Sequence, residues 1–160
     1  MGPLENDLER LYDESAQQLF VCALAITRCP ALAEDAVHDA FRRLLSLKQR
    51  PEDLKVYALR SVRNAAIDIH RKGRRAAALT PTYVFDACDP RDQVGLMEFK
   101  NRVAAALLKL PDDERETIVQ HLYGGLTFRE IAEVRENSLN TVASWYRRGL
   151  EKLRRELEEP

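Results

Sequence analysis

Gly125-Leu126-Thr127-Phe128-Arg129-Glu130-Ile131-Ala132-Glu133-Val134-Arg135-Glu136-Asn137-Ser138-Leu139-Asn140-Thr141-Val142-Ala143-Ser144-Trp145-Tyr146-Arg147-Arg148 is the stretch that decides how this chain is built. Gly124 and Gly125 interrupt whatever helix precedes it. Thr127 stands where a helix N-cap is wanted, and Glu130, three residues on, completes a capping box in which each side chain satisfies the other's backbone amide. Leu126 and Ile131 flank the box at the spacing of a hydrophobic staple. The short helix so begun ends near Val134. Arg135-Glu136-Asn137 makes a turn in which Asn137 or a neighbour takes the left-handed conformation. Ser138 then caps a longer helix running to about Leu157. A short and a long helix joined by a three- to four-residue turn form a helix-turn-helix. Its inward positions are Ile131, Ala132, Leu139 and Val142, with Ala132 small where the helices come closest. The second helix shows Asn140, Ala143, Ser144, Arg147 and Arg148 outward, a polar and basic row able to enter a DNA major groove. A plain helical hairpin with a solvated face is the bland alternative.

Working outward, Pro111 is expected to open a helix in its first position, with Asp112, Asp113 and Glu114 complementing the positive end of its dipole. Before it, about Val94 to Leu110 carries Leu96, Phe99, Val103, Ala106, Leu107 and Leu110 on one side. Three further helices are expected in the N-terminal part. The first, about Leu4 to Arg28, carries Leu8, Leu11, Tyr12, Leu19, Ala23 and Ile26 and stops before Pro30. The second, about Leu32 to Leu47, carries Ala36, Val37, Ala40, Phe41 and Leu44. The third, about Glu52 to Lys72, carries Leu54, Tyr57, Ala58, Ser61, Val62, Ala65 and Ile69 inward and arginines outward, and Gly73 ends it. Helical periodicity fails after Arg74, through Thr80-Pro81-Thr82 and Asp86-Ala87-Cys88-Asp89-Pro90, which reads as an inter-domain linker. The expected fold is therefore all-α: two small helical domains, 1–74 and 96–160, joined by a flexible linker over 75–95. Each half is small enough for its core to be marginal, so the two are expected to move independently when free.

Composition narrows the function. With 45% hydrophobic and 32% charged residues the chain has enough apolar matter for packed cores and no run near the roughly 20 residues a bilayer span needs. Its N-terminus has neither the basic start nor the apolar core of a signal peptide, so a cytoplasmic protein is expected. Cys22, Cys29 and Cys88 are odd in number and lack a C-x-x-C spacing, which encodes neither a disulfide framework nor a zinc site. Cys22 and Cys29 read as buried small hydrophobes. His38, His70 and His121 are scattered, and no metal ligand set, cofactor motif or catalytic motif appears; an enzyme is the least supported class. The net charge of −1 hides its distribution: Arg60 to Arg75 and Arg147 to Arg155 are mostly basic, while acid gathers at Glu5–Glu14, Glu34–Asp39 and Asp112–Glu116. Such a chain binds DNA weakly alone, because phosphate neutralisation supplies most non-specific affinity, and its acidic faces suit a protein partner.

Leu110-Pro111-Asp112-Asp113-Glu114-Arg115-Glu116, followed by Gly125 to Glu133 and Asn140 to Arg154, resembles the C-terminal domain of the extracytoplasmic-function type of RNA polymerase sigma factor, in the sigma-70 superfamily. Ala33 to Phe41 is similar to that family's polymerase-binding helix, and Tyr57 to Asp68 to its promoter-melting helix. Three motifs in the right order cover nearly everything except the linker. The resemblance implies a sigma factor that directs core RNA polymerase to promoter DNA, with no cofactor. An anti-sigma factor is a further partner it allows. It implies that Glu34, Asp35, His38 and Asp39 dock on the polymerase clamp. Tyr57, Arg60, Arg63, Asn64 and Arg71 would hold the melted minus-ten strand. Thr127, Arg129, Asn140, Thr141, Ser144, Arg147 and Arg148 would read the minus-thirty-five duplex. Departures are Glu136-Asn137 in a turn that usually holds Gly and an aliphatic residue, and Ala143 and Trp145 at positions often basic. Two other readings remain beside it: a stand-alone helix-turn-helix regulator, which leaves the N-terminal match unexplained, and a degenerate sigma-like adaptor.

Overall fold

A computed structural model describes residues 2–73 and 94–159, with side chains described from Glu98 onward in the second stretch. Every regular element among them is helical. The linker expected over 75–95 lies outside the described residues except for its last two positions, which already belong to a helix. Helix α1 is Pro3–Thr27, α2 Pro30–Leu45, α3 Leu54–Lys72, α4 Val94–Lys109, α5 Asp112–Ile118, α6 Phe128–Arg135 and α7 Leu139–Glu158.

The punctuation follows local chemistry. Arg28 ends α1 in the left-handed conformation, its amide bonded to Leu24 O, and Pro30 opens α2 with the fixed φ that suits a first turn. Cys29 is therefore the cap between two helices and only half-buried, whereas Cys22 is the buried small hydrophobe expected. Asp53, which the sequence reading left unremarked, caps α3 by accepting from the Val56 amide at 3.1 Å. Gly73 closes α3 through its own amide on Ile69 O, without a positive φ. Pro111 does not open α5 but precedes it as the extended cap residue. The helix expected to run on to Gly124 changes pitch: Val119–Tyr123 forms a π turn, with the Gly124 amide on Val119 O at 3.0 Å.

Helices α1, α2 and α3 pack on one another around Leu8, Leu19, Leu44, Leu59 and Val62, all at most 1% exposed. Each leucine so buried is worth roughly 1.5–3 kcal/mol before entropy is subtracted. Cys22 lies among them; burial, aided by the Glu116 charge, pushes its thiol up to about 12, so it stays protonated and inert. Tyr12, expected inside, is 40% exposed and meets Phe41 edge-on, and Phe99 on α4 is 51% exposed. In the C-terminal half α7 lies across α5 at Gly149, where a Cβ would come within 2.5 Å of Ile118 Cδ1, so any larger residue forces the Ile118 side chain to move.

The C-terminal half has a buried cluster of its own, Ala106, Leu107, Leu110, Ile118 and Leu153, but the halves also share buried residues. Leu126, Ile131, Ala132, Val134 and Val142 belong to the same buried cluster as the α1–α3 core, and Val119 is buried with Val21 and Ala25 of α1. The two halves pack together through α1 with the π turn and α3 with α6. Apolar surface that neither small half could cover alone is buried this way, which is the physical reason for the contact.

Candidate nucleic-acid interface

The helix-turn-helix is built by its caps. Thr127 Oγ1 accepts from the Glu130 amide and Glu130 Oε1 from the Thr127 amide, both at 3.1 Å, while Leu126 and Ile131 are fully buried beneath them. In the turn it is Glu136, not Asn137, that takes the left-handed conformation, at φ 54°. Asn137 instead ties the turn down: its amide reaches Ala132 O at 3.0 Å and its Nδ2 donates to Arg135 O at 2.8 Å. Ser138 Oγ accepts from the Thr141 amide at 3.1 Å and starts α7. Leu139, expected inward, is 49% exposed, and Val142 alone of that pair is buried.

Arg135 holds the motif from within, its side chain 1% exposed. Its guanidinium donates to Thr117 Oγ1 at 2.8 Å and to the Asp113 carboxylate, and it lies 3.4 Å from Glu116 Oε2. It also sits 4.2 Å over the Trp145 ring, so Trp145 packs partly inward rather than standing in the outward row. Beside them His121 Nδ1 meets Leu126 O at 2.7 Å, and its ring packs against Phe128 and Tyr146.

On the outer surface of this half, Asn140, Arg147 and Arg148 are exposed, and Thr141, Ala143 and Ser144 are half-exposed. Thr127 and Arg129 are exposed at the start of α6. The residues expected to face duplex DNA are thus all at least partly exposed. Arg148 is partly engaged, 3.9 Å from Glu114, whose carboxylate also takes Lys152 at 2.9 Å.

The α3 residues divide. Tyr57 is 40% exposed and Asn64 and Arg71 are exposed. Arg60 and Arg63, expected on the outside, face the C-terminal half. Arg60 places Nε at 2.9 Å and Nη2 at 2.5 Å from Glu133 O, and Arg63 Nε is 2.6 Å from Glu116 Oε1. On α2, Glu34, Asp35 and His38 are exposed, and half-buried Asp39 lies 3.7 Å from Arg42.

Sequence reasoning missed the buried charges. Glu114 was expected only as a helix-start acid complementing the dipole, and Arg115 and Glu116 drew no structural expectation, yet each of the three is at most 5% exposed. Arg115 donates to Ala25 O at 3.2 Å across the seam and to Asp112 at 2.6 Å. No local signal separates such residues from ordinary dipole-complementing acids, because their partners are distant in sequence: Lys152 of α7 for Glu114, Ala25 of α1 for Arg115 and Arg63 of α3 for Glu116.

Comparison with known proteins follows the same division. Residues 11–76 match the family model for Sigma-70 region 2, and residues 100–153 that for Sigma-70, region 4. The ECF RNA polymerase sigma factor SigK of Mycolicibacterium vanbaalenii is 26% identical over 153 residues, covering 90% of this chain and 78% of that one. The ECF RNA polymerase sigma factor SigW of Bacillus subtilis is 31% identical over 93 residues, 58% of this chain and 50% of SigW. Among solved structures, the sigma factor RpoE in complex with the anti-sigma factor NepR from Bartonella quintana superposes with a TM-score of 0.71 at 21% identity, over 96% of this chain and 98% of that one. That last likeness is one of fold.

Proposed function

The chain belongs to the sigma-70 family, as an RNA polymerase sigma factor of the extracytoplasmic-function type, and from that premise we propose how its parts divide the work. Residues 1–74 form the part that docks on the polymerase clamp through Glu34, Asp35, His38 and Asp39. The same part holds the melted minus-ten strand on α3. There Arg60, Arg63 and Arg71 grip phosphates, Asn64 meets an extruded base, and Tyr57 offers a stacking face. Residues 96–160 read the minus-thirty-five element as duplex, with α7 in the major groove. Ser144, Arg147 and Arg148, with Asn140 and Thr141, lie toward base edges and nearby phosphates, and Thr127 and Arg129 anchor the backbone.

The observation that carries this reading is the outward row of α7, held at a fixed angle by two capped helix starts and a buried arginine. Arg147 is exposed and pairs with none of the described residues, so its guanidinium is available to a guanine edge or a phosphate. The chain carries no reaction of its own in this reading; bond making stays with polymerase, and the work is done in the cytoplasm. As RpoE is bound by NepR, an anti-sigma protein is a fitting further partner.

The test is promoter binding by reconstituted holoenzyme. Arg147→Ala should weaken binding to a minus-thirty-five duplex by roughly 1–3 kcal/mol, the range for one good base contact. Unchanged affinity for Arg147→Ala and Ser144→Ala together would remove α7 from the groove.

A further inference from the structure

Beneath the crossing of α7 over α5 lies Glu114, whose Cβ is 3.3 Å from where a Cβ on Gly149 would stand. Glu114 is 5% exposed, and a carboxylate so far out of water stays ionised only with cations beside it. The cations it meets are on α7, one helical turn apart and on either side of Gly149 in sequence. Lys152 Nζ donates to both oxygens, at 3.0 and 2.9 Å, whereas Arg148 Nε stands 3.9 Å off, beyond hydrogen-bond reach. Both residues are otherwise exposed. Ser144, Arg148 and Lys152 follow one another at four-residue steps, so they share one stripe of α7. Without Glu114 the positive charge of the DNA-facing row would run a full turn further along the helix.

We propose that Glu114 is a specificity-determining residue: its buried carboxylate retains Lys152 and leaves Arg148 free to turn to DNA, so the DNA-contacting row of α7 ends at Arg148. To meet a phosphate, Lys152 has to give up two charge-assisted hydrogen bonds and strand a desolvated carboxylate. An ammonium is a point charge that meets any phosphate alike, whatever the base sequence. Holding it back lowers sequence-independent affinity and leaves the side chains that meet base edges untouched. This rests on the placement of α7 in the major groove.

The experiment is fluorescence anisotropy of the full chain on a short random-sequence duplex, repeated from about 50 to 200 mM salt. Arg147→Ala should make the fall of log affinity with log salt shallower by about one; no change there would overturn the groove placement of α7 itself. Glu114→Gln keeps the shape and an acceptor oxygen but drops the charge. It should make the slope steeper by about one, the mark of one added phosphate contact, and raise affinity at ~0.15 M salt about fivefold. Adding Lys152→Gln should cancel both changes. With Arg147→Ala behaving as expected, a slope unchanged by Glu114→Gln, or a gain that survives Lys152→Gln, would overturn the role of Glu114. A pair that merely ties α5 to α7 would cost stability and leave the slope alone. Should circular dichroism find Glu114→Gln unfolded, acetylation footprinting of the unaltered chain decides. Saturating duplex should leave Lys152 as reactive as before, and protection of Lys152 would overturn the proposal.

Discussion

Arg135 shows how a single buried charge can organise a DNA-reading motif. It stands at the end of α6, yet its guanidinium is shared among Asp113, Glu116, Thr117 and the Trp145 face. Removing one partner of a buried ionic cluster costs more than the cluster contributes, because the remaining charge is left desolvated. Arg135→Ala should accordingly lower unfolding stability by about 3 kcal/mol, read from urea melts followed by circular dichroism; a loss under ~1 kcal/mol would mean the cluster is solvated. Little of this was legible beforehand. Thr127, Glu130 and Ser138 declared themselves because capping is local, a side chain bonding an amide three residues away. Arg135 looked like part of a polar turn, because its partners lie about twenty residues upstream and beneath the ring of Trp145. Trp145 itself departs from a position often basic in the family, and its stacking on Arg135 accounts for where the ring goes.

Among the elements, the helices anticipated from apolar spacing all form, with ends shifted by a few residues where a cap or a proline decides. The π turn at Val119–Tyr123 was not foreseeable from periodicity. At its start Val119 is buried against Val21 and Ala25 and Gln120 Nε2 lies 3.2 Å from the Glu116 carboxylate; the wider turn is seen only in the packed structure. Leu139 failed as an inward position for a related reason. It is the first residue of α7, directly after the Ser138 cap, where the helix has not yet reached the neighbour that buries Val142. The caps themselves carry measurable weight. Ser138→Ala and Thr127→Ala should each cost about 1 kcal/mol, seen as lower urea midpoints. The Ser138 change should also fray the first turn of α7, detectable as faster amide exchange at Thr141. Equal exchange in the variant would show that packing, not the cap, starts the helix.

At the scale of the molecule, a two-domain all-helical sigma factor was readable because three motifs lay in order, whereas the contact between the halves was not. It depends on pairs such as Arg63–Glu116 and Lys55–Glu130, more than fifty residues apart in sequence, and long-range pairing leaves no mark in local pattern. Two carboxylates, Asp112 and Glu130, make the folded arrangement sensitive to acid. The Asp112 carboxyl is held below its ordinary value chiefly by the hydrogen bond from Arg115, with Arg28 adding to it. Burial alone would raise the Glu130 carboxyl, but the Thr127 amide and Lys55 outweigh it and hold it low. A carboxyl whose value is depressed on folding stabilises the folded form above its unfolded value, near 4, and that contribution fades as pH falls through the folded value. Stability should therefore drop as pH is taken from about 6 to 3, and Asp112→Asn with Glu130→Gln should flatten that drop; an unchanged slope in the double variant would place the acid sensitivity elsewhere. The most direct measurement of all is run-off transcription with purified core RNA polymerase and this chain on a library of genomic promoters. Stable association with core and new, discrete start sites preceded by shared minus-ten and minus-thirty-five elements is the expected result. Binding to duplex DNA with no association to core would contradict it and make the chain an ordinary helix-turn-helix regulator.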